Sequence, residues 1–163
     1  MEPSSAQTES STAPTPGVVS VRAVEKSDAG PLAVLMTELG YPTRPSEMQM
    51  RLDTILANSE YRTFVAVSAG EVCGMIGTCV LYTHEHNSPA GRIIALVVSE
   101  KMRGRGVGRA LIRAAETDFA ARNIKRIGLN TRFQREQAHL FYERLGYVKN
   151  GFRFVKELEK LAD

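Results

Sequence analysis

RIIALVVSEKMRGRGVGRAL, running from Arg92 to Leu111, passes from an apolar run through a turn of alternating arginine and glycine into helical periodicity. The apolar residues of the run do not alternate with polar ones, so the strand they form is expected to be covered on both faces. Beyond it, Val107, Leu111, Ala114, Ala115 and Phe119 recur at helical spacing, and Arg126 to Leu129 reads as another short strand. Strand, helix, strand implies a right-handed parallel crossover. At the turn, Gly104, Gly106 and Gly108 let a phosphate approach backbone N–H groups, and the helix start adds about half a positive charge. Arg103, Arg105 and Arg109 can add charge-assisted hydrogen bonds. The turn therefore reads as a pyrophosphate cradle, against the plainer alternative of a loop with exposed arginines. A P-loop needs Gly, four residues, then Gly-Lys and Ser or Thr, and no such run exists. The dinucleotide fingerprint fails too: the sixth position counted from Gly104 is Arg109, and from Gly106 it is Leu111.

Toward the N-terminus lies a polar loop, Thr83 to Gly91 (THEHNSPAG), preceded by two β-branched stretches, Arg62 to Val67 and Val72 to Leu81. The short Ser68-Ala69-Gly70-Glu71 turn between them makes a hairpin. Before it, Ser46 is expected to cap a helix with Glu47 in its first turn and Met48, Leu52, Ile55 and Leu56 on its inner face. Tyr41 to Pro45 is a turn, because a residue before proline is pushed out of helical space. An earlier helix, capped by Ser27 or Asp28 and stopped by Gly40, carries Leu32, Leu35, Met36 and Leu39 at helical spacing. Val18 to Ala23 (VVSVRA) suits a first strand. On the other side of the opening stretch, Ala138, Phe141, Tyr142 and Leu145 line a last helix ended by Gly146. Tyr147 to Val148 and Phe152 to Leu158 read as closing strands.

The 163 residues, 43% of them apolar, suit one globular domain over residues 18–163. Residues 1–17, rich in Ser, Thr and Pro and without aromatic or branched aliphatic residues, read as a disordered tail. That tail lacks the pattern of a signal peptide, and no run approaches the roughly 18 apolar residues of a membrane span. A cytoplasmic protein with no membrane partner is expected. Cys73 and Cys79 are too few for a disulfide scaffold. Net charge is only +3 although arginines crowd Arg92 to Arg153, so the basicity belongs to a local site, and no reader motif points to nucleic acid.

The arginine and glycine turn resembles the acyl-CoA loop of the GNAT superfamily of N-acetyltransferases: Arg or Gln, two residues, Gly, one residue, then Gly or Ala. Here the pattern is met by Arg103, Gly106 and Gly108. Asn130 to Tyr147 (NTRFQREQAHLFYERLGY) is similar to the second signature of that superfamily, in the same order and at the usual separation. The resemblance implies an α/β fold: a single domain with a mixed, mostly antiparallel sheet whose two central parallel strands splay apart, flanked by helices. It implies acetyl-CoA as co-substrate, with backbone groups of Leu96, Val97 and Val98 along its pantetheine arm. Arg103, Gly104, Arg105, Gly106, Val107, Gly108 and Arg109 would wrap its pyrophosphate, with Asn130 nearby, and Tyr142 would be the general acid for the departing thiolate. GMIGTCVLYTHEH, AHLFYERLGY and GFRFVKEL further resemble a small-amine branch that includes aminoalkylphosphonate N-acetyltransferases. Arg132, Arg135, Arg153 and Lys156 could then serve an anionic substrate, the cofactor phosphates or the solvated surface. A small-molecule amine is the implied partner; homodimers are common in the superfamily.

One departure concerns the base. Members often carry a glutamate on the strand before the phosphate loop or on the next parallel strand, whereas Arg92 to Val98 contains no carboxylate and the second position holds Asn130. The nearest titratable cluster is His84, Glu85 and His86, readable as a base acting directly or through water, as a solvated loop, or, with His139, as a metal site. No metal is assigned. Asn130 could hold a relay water or bind only backbone, and a covalent route through Cys73 or Cys79 lacks a neighbour to activate the thiol. A protein N-terminal or lysine acetyltransferase and a silent acyl-CoA-binding module are the alternatives.

Overall fold

A computed structural model describes residues 17–158, so the tail expected before Val18 lies, apart from Gly17, outside the described residues. The strands are β1 (Val19–Ala23), β2 (Tyr61–Ser68), β3 (Glu71–Leu81), β4 (Ala90–Val98) and β5 (Ile127–Leu129). The helices are α1 (Ala29–Glu38), α2 (Pro45–Leu56), α3 (Val107–Ala121) and α4 (Glu136–Arg144). The sheet runs in the order β1-β2-β3-β4-β5, antiparallel except for the parallel β4 and β5. This is the mixed, mostly antiparallel α/β sheet that the resemblance implies, with α3 as the crossover and the parallel pair at one edge.

Strand alternation assigns the two faces. Val65, Met75 and Val97 meet Leu32, Leu35, Met48 and Leu52 of α1 and α2. Their sequence neighbours Ala66 and Ile76 point the other way, to Val107, Leu111, Ile112 and Ala115 of α3. Farther along α3, Phe119 packs on Val80 and Ile124. The helix approaches so closely there that a Cβ on Gly91 would lie 2.8 Å from the Phe119 ring.

Several local expectations are corrected. Ser46 does not cap α2: Arg44 is the N-cap residue, Pro45 takes the first helical position, and the Glu47 carboxylate accepts from the Arg44 N–H at 2.8 Å. Leu56, placed on the inner face, is exposed because α2 ends there. The Asp28 side chain makes no cap to α1; it accepts from Arg22 and from the Glu25 N–H. In β4, Ile94 is exposed rather than covered, because the pairing with β3 slips between Gly77 and Thr78 and leaves Ile94 without a partner. The closing strands do not form among the described residues: Tyr147 is half-buried, while Val148, Phe152, Phe154, Val155 and Leu158 are exposed. A strand needs a neighbour for its backbone groups, and β5, three residues long, offers few rungs. β5 is consequently the edge of the sheet rather than an interior strand.

Candidate active site

β4 and β5 pair only through Gly91, Arg92 and Ile93, opposite Ile127, Gly128 and Leu129. β5 then ends, while β4 stays paired with β3 as far as Val98. From Ile94 to Val98 the edge of β4 away from β3 therefore has no strand partner among the described residues, an opening lined by backbone groups. Leu96, Val97 and Val98 lie along it, and Asn130 is exposed just past the end of β5. The Val98 carbonyl is engaged already: it accepts from Arg103 Nε at 3.2 Å.

The opening leads to the arginine and glycine turn. Gly104 and Gly106 adopt φ of +72° and +82°, which an L side chain adopts only with strain, and Gly106 is the N-cap residue of α3. No side chain caps that helix and no acidic residue sits in its first turn, so its first N–H groups point outward beside exposed Arg103, Arg105 and Arg109. These features fit a pyrophosphate. Val107 contributes only its backbone, its side chain being core. Gly108 has a different reason to be glycine: a Cβ there would sit 3.2 Å from the Phe141 ring of α4.

That contact seats α4 across the opening. Tyr142, next to Phe141, packs edge-on against Phe141 and Tyr147 with ring centroids 5.2 and 5.8 Å away. Burial pushes its phenol pKa up, with the charge of Arg135 pulling the other way, so the hydroxyl keeps its proton at neutral pH. Among the described residues that hydroxyl has no hydrogen-bond partner, whereas Tyr147 donates to Glu116 at 3.0 Å.

His84, Glu85 and His86 are exposed in the β3–β4 loop, at the opposite end of β4 from the phosphate turn. Ile94 lies four residue steps along β4 from Ala90, about 13 Å of strand, so the structure does not bring this loop to the apex of the opening. His139 is elsewhere, its Nε2 3.0 Å from the Arg132 carbonyl, and no described group of three or more His, Cys, Asp or Glu is arranged to hold a metal. Cys73 and Cys79 are buried free thiols whose pKa burial raises, which suits core residues and not nucleophiles.

Two features had no sequence signal. The loop between α1 and α2 is clasped to the segment after β5: Arg132 donates to the Tyr41 hydroxyl at 3.0 Å and stacks on its ring, and Arg135 donates to the Leu39 carbonyl at 2.9 Å. Beneath that loop, on the α1 and α2 face, a cavity of about 130 Å³ opens against Gly77, Ile94 and Ala95, where β4 bulges.

Residues 32–147 match the Acetyltransferase (GNAT) family. Over 101 residues the chain is 38% identical to the aminoalkylphosphonate N-acetyltransferase of Salmonella typhimurium, covering 62% of this chain and 64% of that protein's length. The crystal structure of a GNAT family acetyltransferase from Staphylococcus aureus superposes with a TM-score of 0.75 at 29% identity, over 86% of this chain and 98% of that one. AAC(6')-Iy, solved with the bisubstrate analogue CoA-S-monomethyl-acetylneamine, aligns with a TM-score of 0.76 at 16% identity, over 87% of this chain and 99% of that one, a likeness of fold alone. Matched from α1 to the end of α4, the chain belongs to the GNAT family of acetyltransferases.

Proposed function

We propose that the chain moves an acetyl group from acetyl-CoA to the primary amine of a small molecule, by direct attack in a ternary complex. The observation that carries this reading is the free edge of β4, from Ile94 to Val98, continuing into the uncapped N-terminus of α3 and faced by Tyr142. Acetyl-CoA supplies the activated acyl group. The β4 edge gives its pantetheine amides a strand to pair with, and the Gly104 to Arg109 turn gives its pyrophosphate N–H donors and positive charge. Arg103 would release the Val98 carbonyl and turn to phosphate. Tyr142, half-buried and protonated, gives its proton to the leaving sulfur. A free alkyl amine with a pKa near 10.4 is neutral in well under about one part in a thousand at pH 7. Of the titratable groups that the sequence offered as a base, the exposed His84, Glu85 and His86 loop stands at the far end of β4 and could take the amine's proton only through a chain of waters.

The aminoalkylphosphonate relative favours a small acceptor over a peptide. Tyr142, retained at the opening, weighs against a silent binding module. None of the described helices is long and apolar enough to cross a membrane, and two free thiols suit a cytoplasmic setting. A homodimer is supported by the exposed apolar C-terminal segment beside the uncovered edge of β5.

The test is release of CoA thiol from acetyl-CoA on aminophosphonates, polyamines, aminoglycosides, amino acids and N-terminal peptides. Turnover with a small amine, falling about tenfold to a thousandfold in Tyr142→Phe with acetyl-CoA affinity kept, is the expected result. Turnover with peptides alone would move the assignment to protein acetylation, and binding without turnover on any acceptor to a silent module. An unchanged rate in Tyr142→Phe would remove Tyr142 from the chemistry. A shifted pH profile on replacing His84, Glu85 or His86 singly would identify the base.

A further inference from the structure

We infer that Glu116 is a positioning residue for acetyl transfer: through Tyr147 it fixes the Tyr142 phenol at the opening. This rests on the general-acid reading of Tyr142 above. The link between the two tyrosines comes from the way α4 stops. Gly146 is left-handed, with φ of +89°. Two backbone bonds close the helix around it: the Gly146 N–H donates to the Glu143 carbonyl at 3.0 Å, and the Tyr147 N–H to the Tyr142 carbonyl at 3.1 Å. A helix that ends this way brings the residue after the glycine back against its own last turn. Here those two residues are Tyr147 and Tyr142, whose rings meet edge-on with centroids 5.8 Å apart.

Tyr147 is held in turn from α3. Its phenol donates to Glu116 Oε1 at 3.0 Å. Burial, that bond and the charge of the carboxylate all push the Tyr147 pKa up, so the phenol remains a donor at neutral pH. Glu116 is half-buried, and no ion pair engages it among the described residues, although Arg113 stands one turn earlier on the same helix. The carboxylate is turned to the phenol instead. Two contacts therefore register α4 on α3: Phe141 against Gly108, beside the arginine and glycine turn, and Tyr147 on Glu116, about 12 Å farther along α3 at ~1.5 Å per residue. Tyr142, between these anchors in sequence, has ring contacts and no hydrogen bond of its own among the described residues, so its hydroxyl stands only where the anchors put it. The helix whose first turn faces the pyrophosphate thus also sets the place of the proton donor.

The experiment follows release of CoA thiol from acetyl-CoA with 2-aminoethylphosphonate, or with whichever small amine of the panel above is used fastest. The variants are Glu116→Leu, Glu116→Gln, Tyr147→Phe and the combination of Glu116→Leu with Tyr147→Phe. Glu116→Leu and Tyr147→Phe should each lower kcat about threefold to tenfold, a part of what loss of a general acid costs, with acetyl-CoA affinity by calorimetry unchanged. The combination should fall no further than the larger single loss, because both break one bond. Glu116→Gln, whose amide oxygen still accepts from the phenol, should recover most of the rate. In a Tyr142→Phe background, Glu116→Leu should cost nothing more. A full rate in Glu116→Leu where Tyr142→Phe is slow, or an undiminished loss in the Tyr142→Phe background, would overturn the inference. So would a loss confined to acetyl-CoA affinity. Should no amine be turned over, or Tyr142→Phe keep its rate, the general-acid reading fails, and NMR of the five tyrosines with labelled rings decides whether Glu116 fixes the phenol. A Tyr142 signal that moves alike in Glu116→Leu and Tyr147→Phe and returns in Glu116→Gln upholds the tether; one that stays in place in all three ends it.

Discussion

Asp28 shows how far a single residue can sit from its local reading. Its position before a helix marks it as a cap, yet its carboxylate accepts from Arg22 at 2.8 and 2.9 Å and from the Glu25 N–H at 2.8 Å. It is almost wholly buried, and the choice depends on how β1 meets α1, which no window of sequence encodes. The Arg22 hydrogen bond, opposed by burial, holds the Asp28 pKa below its ordinary 3.8. A depressed carboxylate contributes stability that is full above its unfolded value and lost as pH falls through its folded one. Asp28→Asn should therefore cost about 1.5–3 kcal/mol at pH 7, the worth of a hydrogen bond to a charged group. In urea denaturation the gap from wild type should narrow as pH drops below about 4. A gap that stays constant into strong acid would mean that ionised Asp28 contributes nothing beyond its shape.

Between elements, the glycines of the arginine and glycine turn separate into two kinds that the motif does not distinguish. Gly104 and Gly106 serve the backbone, whereas Gly108 lets α3 and α4 approach, its missing Cβ lying against Phe141. Because Tyr142 follows Phe141, Gly108→Ala should push the ring by a few tenths of an ångström and carry the phenol with it. With Tyr142 as the proposed general acid, the expected outcome is a kcat about tenfold lower, since misplacement of a catalytic group by about 1 Å can cost a hundredfold. Acetyl-CoA binding, measured by calorimetry, should change little. A loss of binding with kcat preserved would return Gly108 to the phosphate site. The elements themselves were largely legible: α3 repeats its buried residues at Val107, Leu111, Ala115 and Phe119, and β2 and β3 flank a two-residue turn. The Ile94 bulge was not, for an unbroken apolar run carries no mark of where its register slips. Nor was the cavity under α1 and α2, since Met36, Arg51 and Ile94 meet only after α1, α2 and β4 have packed.

At the scale of the whole molecule, the two closing strands are the expectation that the described residues do not fulfil. Phe152 and Phe154 alternate with Arg153 as strand residues should, yet they are 80% and 92% exposed, with Val155 and Leu158 at 71% and 85%. Scattered apolar residues on a surface need no explanation, but a contiguous stretch of this kind marks an interaction site. Phe152 sits 6.3 Å, ring to ring, from exposed Phe133 in the segment after β5, so the stretch begins beside the sheet edge formed by β5. An uncovered edge and an unpaired strand-patterned segment on the same chain can each satisfy the other in a second copy, burying both. Sedimentation velocity should accordingly show a monomer and dimer in concentration-dependent exchange, or a dimer throughout. Phe152→Ser combined with Phe154→Ser should leave a monomer whose melting temperature stays close to that of the dissociated wild type, because neither side chain belongs to the core of the single chain. A wild-type chain that sediments as a monomer at every concentration would remove the second copy. The same double variant separates assembly from chemistry: Tyr142, Phe141 and Leu129 lie only half-buried near that edge, so a monomer that has also lost turnover would show that the partner completes the wall of the site.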